Sequence, residues 1–318
     1  MPVVAPVFTP HPVHAPERHW PQSNCSLDLW IGYLHSLGLA PEALMGALVQ
    51  LDFEGDQFGF CKFDAADLSR MHGLVLRELA LYDRLQDHIV TQVDRGHLVL
   101  VELDGFHLPD TAGTSYHREH SKTTVGIQAI DPVRQTLSYF HNSGFYTLSG
   151  DDYAALFAVD AQDRQATGAL LPYTEYLLRK QPALQGEALK DAARQALRQH
   201  LAGAPGENPF RVYQRQYDAD LARVIARGND YFHLYAFNHF RQFGSVFGLL
   251  EAFFRWLGDE ALQPLAEHCD QIAAKAKLMQ FRVVRAVARQ RPDDSGLILN
   301  DIAAHWDAVM GGLRPYRD

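Results

Sequence analysis

The chain has 318 residues, 47% of them hydrophobic and 21% charged, with a net charge of -9. That is enough apolar material for a substantial core in one or two domains, and it lacks the basic surplus of a general nucleic-acid binder. Three scattered cysteines (Cys25, Cys61 and Cys269) make no disulfide framework and suit a reducing compartment, and no apolar run is long enough to span a bilayer.

Repeated prolines predict an extended arm over residues 1–20, without the charged-then-apolar pattern of a signal peptide. The expectation is therefore a cytoplasmic protein with no membrane and no nucleic-acid partner. Asn24 is a good cap for a helix over 26–37, whose apolar residues Leu27, Trp30, Ile31 and Leu34 recur at helical spacing before the stop at Gly38. A second helix is expected over 41–49, a strand over 58–63 and a helix over 64–82. Strands then follow over 97–103, 123–130 and 136–140, with a loop at 104–121 and a turn at Asp131-Pro132.

From about residue 162 the pattern turns helical, with candidates at 172–180, 186–201, 209–227, 231–257, 259–290 and 297–310, and a Gly/Pro-rich linker at 202–208. Helices followed by antiparallel strands predict an α+β domain over 21–160, and the remainder predicts a helical domain over 161–318.

Cys25 carries the sharpest chemical expectation. A thiol in the first turn of a helix feels the positive end of the helix dipole, which favours thiolate. A cysteine nucleophile also needs a base and a group that orients the base. His120, at the mouth of the 123–130 strand, and Asn142, at the end of the 136–140 strand, are brought together by an antiparallel turn. His117 is the rival base, deeper in the loop. His141 is expected to face away from Asn142, because neighbours on a strand point to opposite sides.

Gln22 is a candidate oxyanion donor and Lys122 a candidate partner for a substrate carboxylate or phosphate. Asp104 is a candidate substrate contact whose bland alternative is a turn former. Cys61 and Cys269 are expected to pack. No metal is expected, because no Cys/His cluster has zinc spacing, and neither a P-loop nor a dinucleotide fingerprint occurs.

The order Cys, His, Asn, with the nucleophile on a helix and its partners on a later sheet, resembles the papain-like fold. Leu108-Pro109-Asp110-Thr111, His120-Ser121-Lys122-Thr123-Thr124 and Tyr139-Phe140-His141-Asn142 resemble a bacterial family found beside carrier proteins and amino-acid activating enzymes. Within the papain-like class the chain is similar to double-glycine leader peptidases and to the N-terminal domain of butirosin-type acyltransferases. Residues 237–244 resemble the latter's C-terminal region. The peptidases place their oxyanion glutamine five or six residues before the cysteine, whereas Gln22 is three before.

This resemblance implies transfer of an acyl or aminoacyl group from a carrier protein's phosphopantetheine thioester to a small amine, with Cys25, His120 and Asn142 as the catalytic set and no resident cofactor. A hydrolase of the same fold and a non-catalytic carrier-binding protein are the alternatives. Lys275, Arg282, Arg285 and Arg289 share one helical face opposite Phe281, Val284 and Val287. They are read either as a solvated face or as a docking strip for an acidic carrier protein.

Overall fold

The computed structural model describes residues 8–158 and 171–317. The chain divides into two compact units, and neither is a continuous stretch. The first takes the chain up to His11, Asn24–Leu39 and Leu68–Ala183; the second takes Pro12–Ser23, Ala40–Asp67 and Leu184–Asp318.

The elements run in chain order as α1 (Cys25–Ser36), a 3-10 helix (Pro41–Gln50), α2 (Ala65–His72), β1 (Leu74–Glu78), α3 (Leu85–Asp94) and β2 (Leu98–Asp104). They continue as β3 (Lys122–Asp131), β4 (Thr136–His141), β5 (Gly144–Ser149), α4 (Asp151–Leu156) and β6 (Thr174–Arg179). In the first unit the six strands form one antiparallel sheet in the order β1-β6-β2-β3-β4-β5.

Strand alternation gives this sheet two apolar faces. Val99, Val101 and Leu103 of β2, Val125 and Ile127 of β3, and Leu137 and Tyr139 of β4 pack with Leu85 and Ile89 of α3 and Tyr153 of α4. Leu98, Leu100, Gly126 and Phe140 alternate with them and face the other way, toward α1. Leu27, Leu29, Ile31 and Leu34 of α1 are fully buried, each worth about 1.5–3 kcal/mol relative to exposure. Gly126 permits close approach: a Cβ there would lie 3.3 Å from Leu98 and 3.5 Å from Leu29.

The direction of α1 follows from its neighbours. Leu29 lies on Gly126, Gly32 and Tyr33 lie against Phe140, and His35, Ser36 and Leu37 share a cavity with Gln128 and Phe145. The helix therefore advances along β3 and begins toward that strand's Lys122 end.

Several expected elements differ. Residues 172–180 read as a helix but contain β6, whose partners β1 and β2 are distant in sequence and invisible to a local pattern. The sheet thus extends past the expected domain end at 160. The 64–82 stretch is split by Gly73 (φ 66°) into α2 and β1. At Gly73 a Cβ would lie 2.0 Å from the Gln181 carbonyl oxygen. Residues 58–63 form no strand, only an isolated bridge between Phe53 and Phe58. The start of the expected helical half, at 162–170, lies outside the described residues.

The second unit is helical: α5 (Gly186–Ala202), α6 (Pro209–Arg227), α7 (Asn229–Ala236), a π-helical turn (Phe237–Arg241), α8 (Gln242–Leu257), α9 (Gln263–Arg289) and α10 (Ile298–Gly312). Asn208 caps α6 through Phe210 N–H, and Gly258 ends α8 in the left-handed conformation. Part of the N-terminal arm belongs here. Arg18 pairs with Glu251 at 2.7 Å, and Trp20 Nε1 donates to the Ala273 carbonyl at 2.9 Å. Among the described residues, no helix is long and apolar enough to cross a membrane.

Candidate active site

Cys25 is the first residue of α1. Asn24 Oδ1 accepts from the N–H groups of Ser26 (3.1 Å) and Leu27 (2.9 Å), which fixes the first turn and leaves the half-buried thiol at the positive end of the helix. Burial pushes the Cys61 thiol up to about 12 and the Cys269 thiol well above its ordinary range. Both therefore stay protonated near neutral pH and make poor nucleophiles. Gln22 is exposed and falls in the second unit, with residues 12–23.

His120 is held by Asp104. Its Nδ1 lies 2.5 Å from Asp104 Oδ2, while Asp104 Oδ1 accepts from the backbone N–H groups of Phe106 (3.0 Å) and Ser121 (3.1 Å). Burial alone would raise the Asp104 carboxyl, but the His120 hydrogen bond, the two backbone donors and the imidazole charge outweigh it and hold the group below the usual carboxylate range. The imidazole stacks on Phe106 at 4.6 Å between centroids, and its side chain is 75% exposed. With Nδ1 committed to the carboxylate, Nε2 is the nitrogen that faces a reacting partner.

Register gives the face. Directly opposed residues of an antiparallel ladder project to the same side. Asp104 opposes Lys122, Glu102 opposes Thr124 and Leu100 opposes Gly126, so Asp104 lies on the α1 side of the sheet. It also lies at the end of β3 from which α1 starts. The helix bearing Cys25 and the carboxylate holding His120 thus share one face and one end of the sheet.

Asn142 occupies the two-residue turn between His141 and Gly144, in the left-handed conformation (φ 47°) that asparagine tolerates well. The hydrogen bond at His120 Nδ1 goes to Asp104 and not to Asn142. Lys122 Nζ is bonded to Glu102 at 2.7 Å, so its charge is already matched.

Residues 9–179 match the family model described as the DUF1839 N-terminal domain, and residues 186–315 the one described as the DUF1839 C-terminal domain. The chain belongs to the DUF1839 family. No curated protein matches it. The likeness to butirosin-type acyltransferases thus rests on motifs alone. The N-terminal DUF1839 match ends with β6, where the sheet is completed.

A second constellation in this DUF1839 chain escapes the sequence reading. His141 is the middle of a buried chain on the opposite sheet face. Its Nδ1 is 2.5 Å from Asp110 Oδ2, its Nε2 is 2.8 Å from Thr123 Oγ1, and Tyr139 donates to Asp110 Oδ1 at 2.5 Å. His141 and Asp110 side chains are each 2% exposed. Burial, then the Asp110 charge, drives the Tyr139 phenol far above its normal range, so it serves only as a donor. The signal was present: Asp110, Thr123 and Tyr139-His141 come from the three motifs that carried the family resemblance, and they converge here. His141 points away from the α1 face, as its alternation with Phe140 along β4 requires.

The basic strip is partly neutralised. Lys275 pairs with Asp301 at 3.1 Å and Arg282 with Asp294 at 2.6 Å, whereas Arg285 and Arg289 are exposed. Phe281, read as opposite the basic face, is 58% exposed, and the packing is done by Val283, Ala286 and Val287.

Proposed function

We propose that this protein is a cysteine-dependent acyltransferase of papain-like type, in which Cys25 attacks a thioester and His120 moves the protons. The observation that carries the reading is the Asp104–His120 pair, lying on the face and at the sheet end where the Cys25 helix begins. Asp104 replaces Asn142 as the group that orients the imidazole.

The Cys25 thiolate forms a carbon–sulfur bond to the acyl carbonyl as the donor's carbon–sulfur bond breaks. The departing thiol takes the proton that His120 removed from Cys25. An amine then adds to the acyl-enzyme, gives its proton to His120 and expels Cys25 as thiolate. The Cys25 backbone N–H, which no helical hydrogen bond uses, is a suitable oxyanion donor. A phosphopantetheine arm on an acyl or aminoacyl carrier protein is the thioester source favoured by the family resemblance, and a small amine is the acceptor. Exposed Arg285 and Arg289 suit an acidic carrier.

A hydrolytic outcome is favoured by one feature, the exposure of His120, which admits water. The test is to mix the full chain with an aminoacylated carrier protein, quench, and measure intact mass with and without an added amine. Mass gain on Cys25 that an amine discharges to an amide supports transfer; discharge to the free acid irrespective of amine supports a hydrolase. Full turnover by Cys25→Ala would remove both.

A further inference from the structure

The loop over residues 104–121 holds more imidazole than the acyl-transfer reading uses. His107 follows Phe106 on a short 3-10 helix (Gly105–His107), and His117 returns beside it because its backbone N–H donates to the Phe106 carbonyl at 3.1 Å. That return puts His117 in the left-handed region (φ 52°). Asp152, in the first turn of α4, completes the group. Among the described residues, His107, His117 and Asp152 each offer a donor atom within 4.8 Å of the other two.

The geometry points to a divalent transition-metal site, with Zn2+ the foremost occupant, ligated by His107, His117 and Asp152. Two imidazole nitrogens and one carboxylate oxygen form the mixed donor set that suits Zn2+, Co2+ or Fe2+, whereas Ca2+ and Mg2+ prefer all-oxygen sites. His117 Nε2 lies 3.3 Å from Asp152 Oδ1, the spacing of two ligands of one tetrahedral ion with bonds of about 2.0–2.1 Å. The longer separations close by side-chain rotation, since His117 is 56% exposed and its ring can turn where it stacks on Tyr116, 4.0 Å between centroids.

The outer partner of a ligand carboxylate is also present. Tyr116 donates its hydroxyl to Asp152 Oδ2 at 2.9 Å, which orients the carboxylate and leaves Oδ1 facing His117. Three protein ligands leave a position for water. Bound there, the ion would tie the loop to α4 and hold Phe106, on which His120 stacks. The site stands on its own geometry and is independent of the acyl-transfer reading.

The test uses full-length chain stripped with a chelator and titrated with Zn2+ by calorimetry and with Co2+ by visible absorption. One saturable equivalent is expected, with the absorption bands of tetrahedral Co2+. His117→Gln and Asp152→Asn should each weaken Kd by at least roughly 100-fold, and Tyr116→Phe by roughly 10-fold, the range for outer partners being about 10–100-fold. His268→Gln, which removes half of a second close histidine pair (Nδ1 to Nδ1 2.9 Å from His305), should leave Kd unchanged. Because His117 is exposed, His117→Gln keeps the test valid even if Asp152→Asn misfolds. No saturable uptake by the parent chain, or uptake that survives His117→Gln, would overturn the site.

Discussion

Replacing Asp104 by Asn separates the orienting role of this residue from that of Asn142. The amide still accepts from Phe106 and Ser121 N–H through its oxygen, so the loop entrance keeps both backbone hydrogen bonds. What changes is the atom 2.5 Å from His120 Nδ1: a carboxylate oxygen becomes an amide NH2 donor. That donor requires a bare Nδ1, which puts the imidazole proton on Nε2 and removes its ability to take the Cys25 proton. A wrong tautomer of this kind costs up to about 10⁴ in rate, and a loss of about 10²–10⁴ corresponds to roughly 3–5 kcal/mol of transition-state stabilisation. Stability should change little, because an ion pair with a 75%-exposed partner is worth about 0–1 kcal/mol. The assay is single-turnover acylation of Cys25 from a thioester, followed by intact mass, with thermal melting alongside. Asn142→Gly is the control: glycine accepts the φ of 47° without strain, so both acylation rate and melting temperature should hold. An undiminished rate in Asp104→Asn, or an equal loss in Asn142→Gly, would refute the reasoning.

In acid, folded Asp104 holds its proton less readily than the unfolded chain does. Its stabilising contribution is therefore complete above the unfolded value near about pH 3.9 and is lost as pH falls through the lower folded value. Melting curves of the parent and Asp104→Asn should converge as the pH is lowered through that range, and a constant gap would count against the assignment. On the other sheet face, His141→Ala leaves the Asp110 carboxyl buried without its imidazole and should cost about 3–5 kcal/mol in urea unfolding; a loss under about 1 kcal/mol would show the network to be dispensable. Gly73→Ala must move a carbonyl oxygen that would sit 2.0 Å from the new Cβ, and the left-handed backbone adds strain. A destabilisation of more than about 1 kcal/mol is expected by the same assay, and none would mean that the turn relaxes freely. Arg285→Glu with Arg289→Glu should raise KM for a carrier-bound thioester at low salt and leave KM for a small-molecule thioester unchanged; equal effects on both would rule out docking.

Local chemistry was legible where one residue type has one use. Asn24 before an apolar periodic run marked the start of α1, and the end of the Gly/Pro-rich linker at 208 marked that of α6. The β2, β3 and β4 strands showed in their β-branched and aromatic runs. The slot occupied by β6 was not legible, because Thr174–Arg179 takes its hydrogen bonds from strands more than 70 residues earlier, as in the Val101–Thr174 and Leu74–Arg179 pairs, and carries leucines that also suit a helix. At the candidate site the positions of Cys25 at a helix start and of His120 before a strand were legible. The partner of His120 Nδ1 was not: Asp104 ends a strand like any turn former, and only the return of the loop to Ser121 brings His120 onto it. Asn142 was drawn to the role by chain order, while its backbone conformation gives it a turn to make.

The interleaving of the two units bears on how the chain can be divided and synthesised. The N-terminal family match stops at the end of the sheet, yet a fragment ending there would still carry Pro12–Ser23 and Ala40–Asp67, which belong to the other unit. Trp20, for example, would lose the Ala273 carbonyl that its indole N–H meets. On the ribosome, β1 and β2 emerge long before the strand that joins them, so a nascent sheet exposes two unpaired edges until residue 179 is made. A contiguous cut anywhere in the first 183 residues separates parts of one compact unit, which makes the whole chain the natural unit for expression, folding and selection.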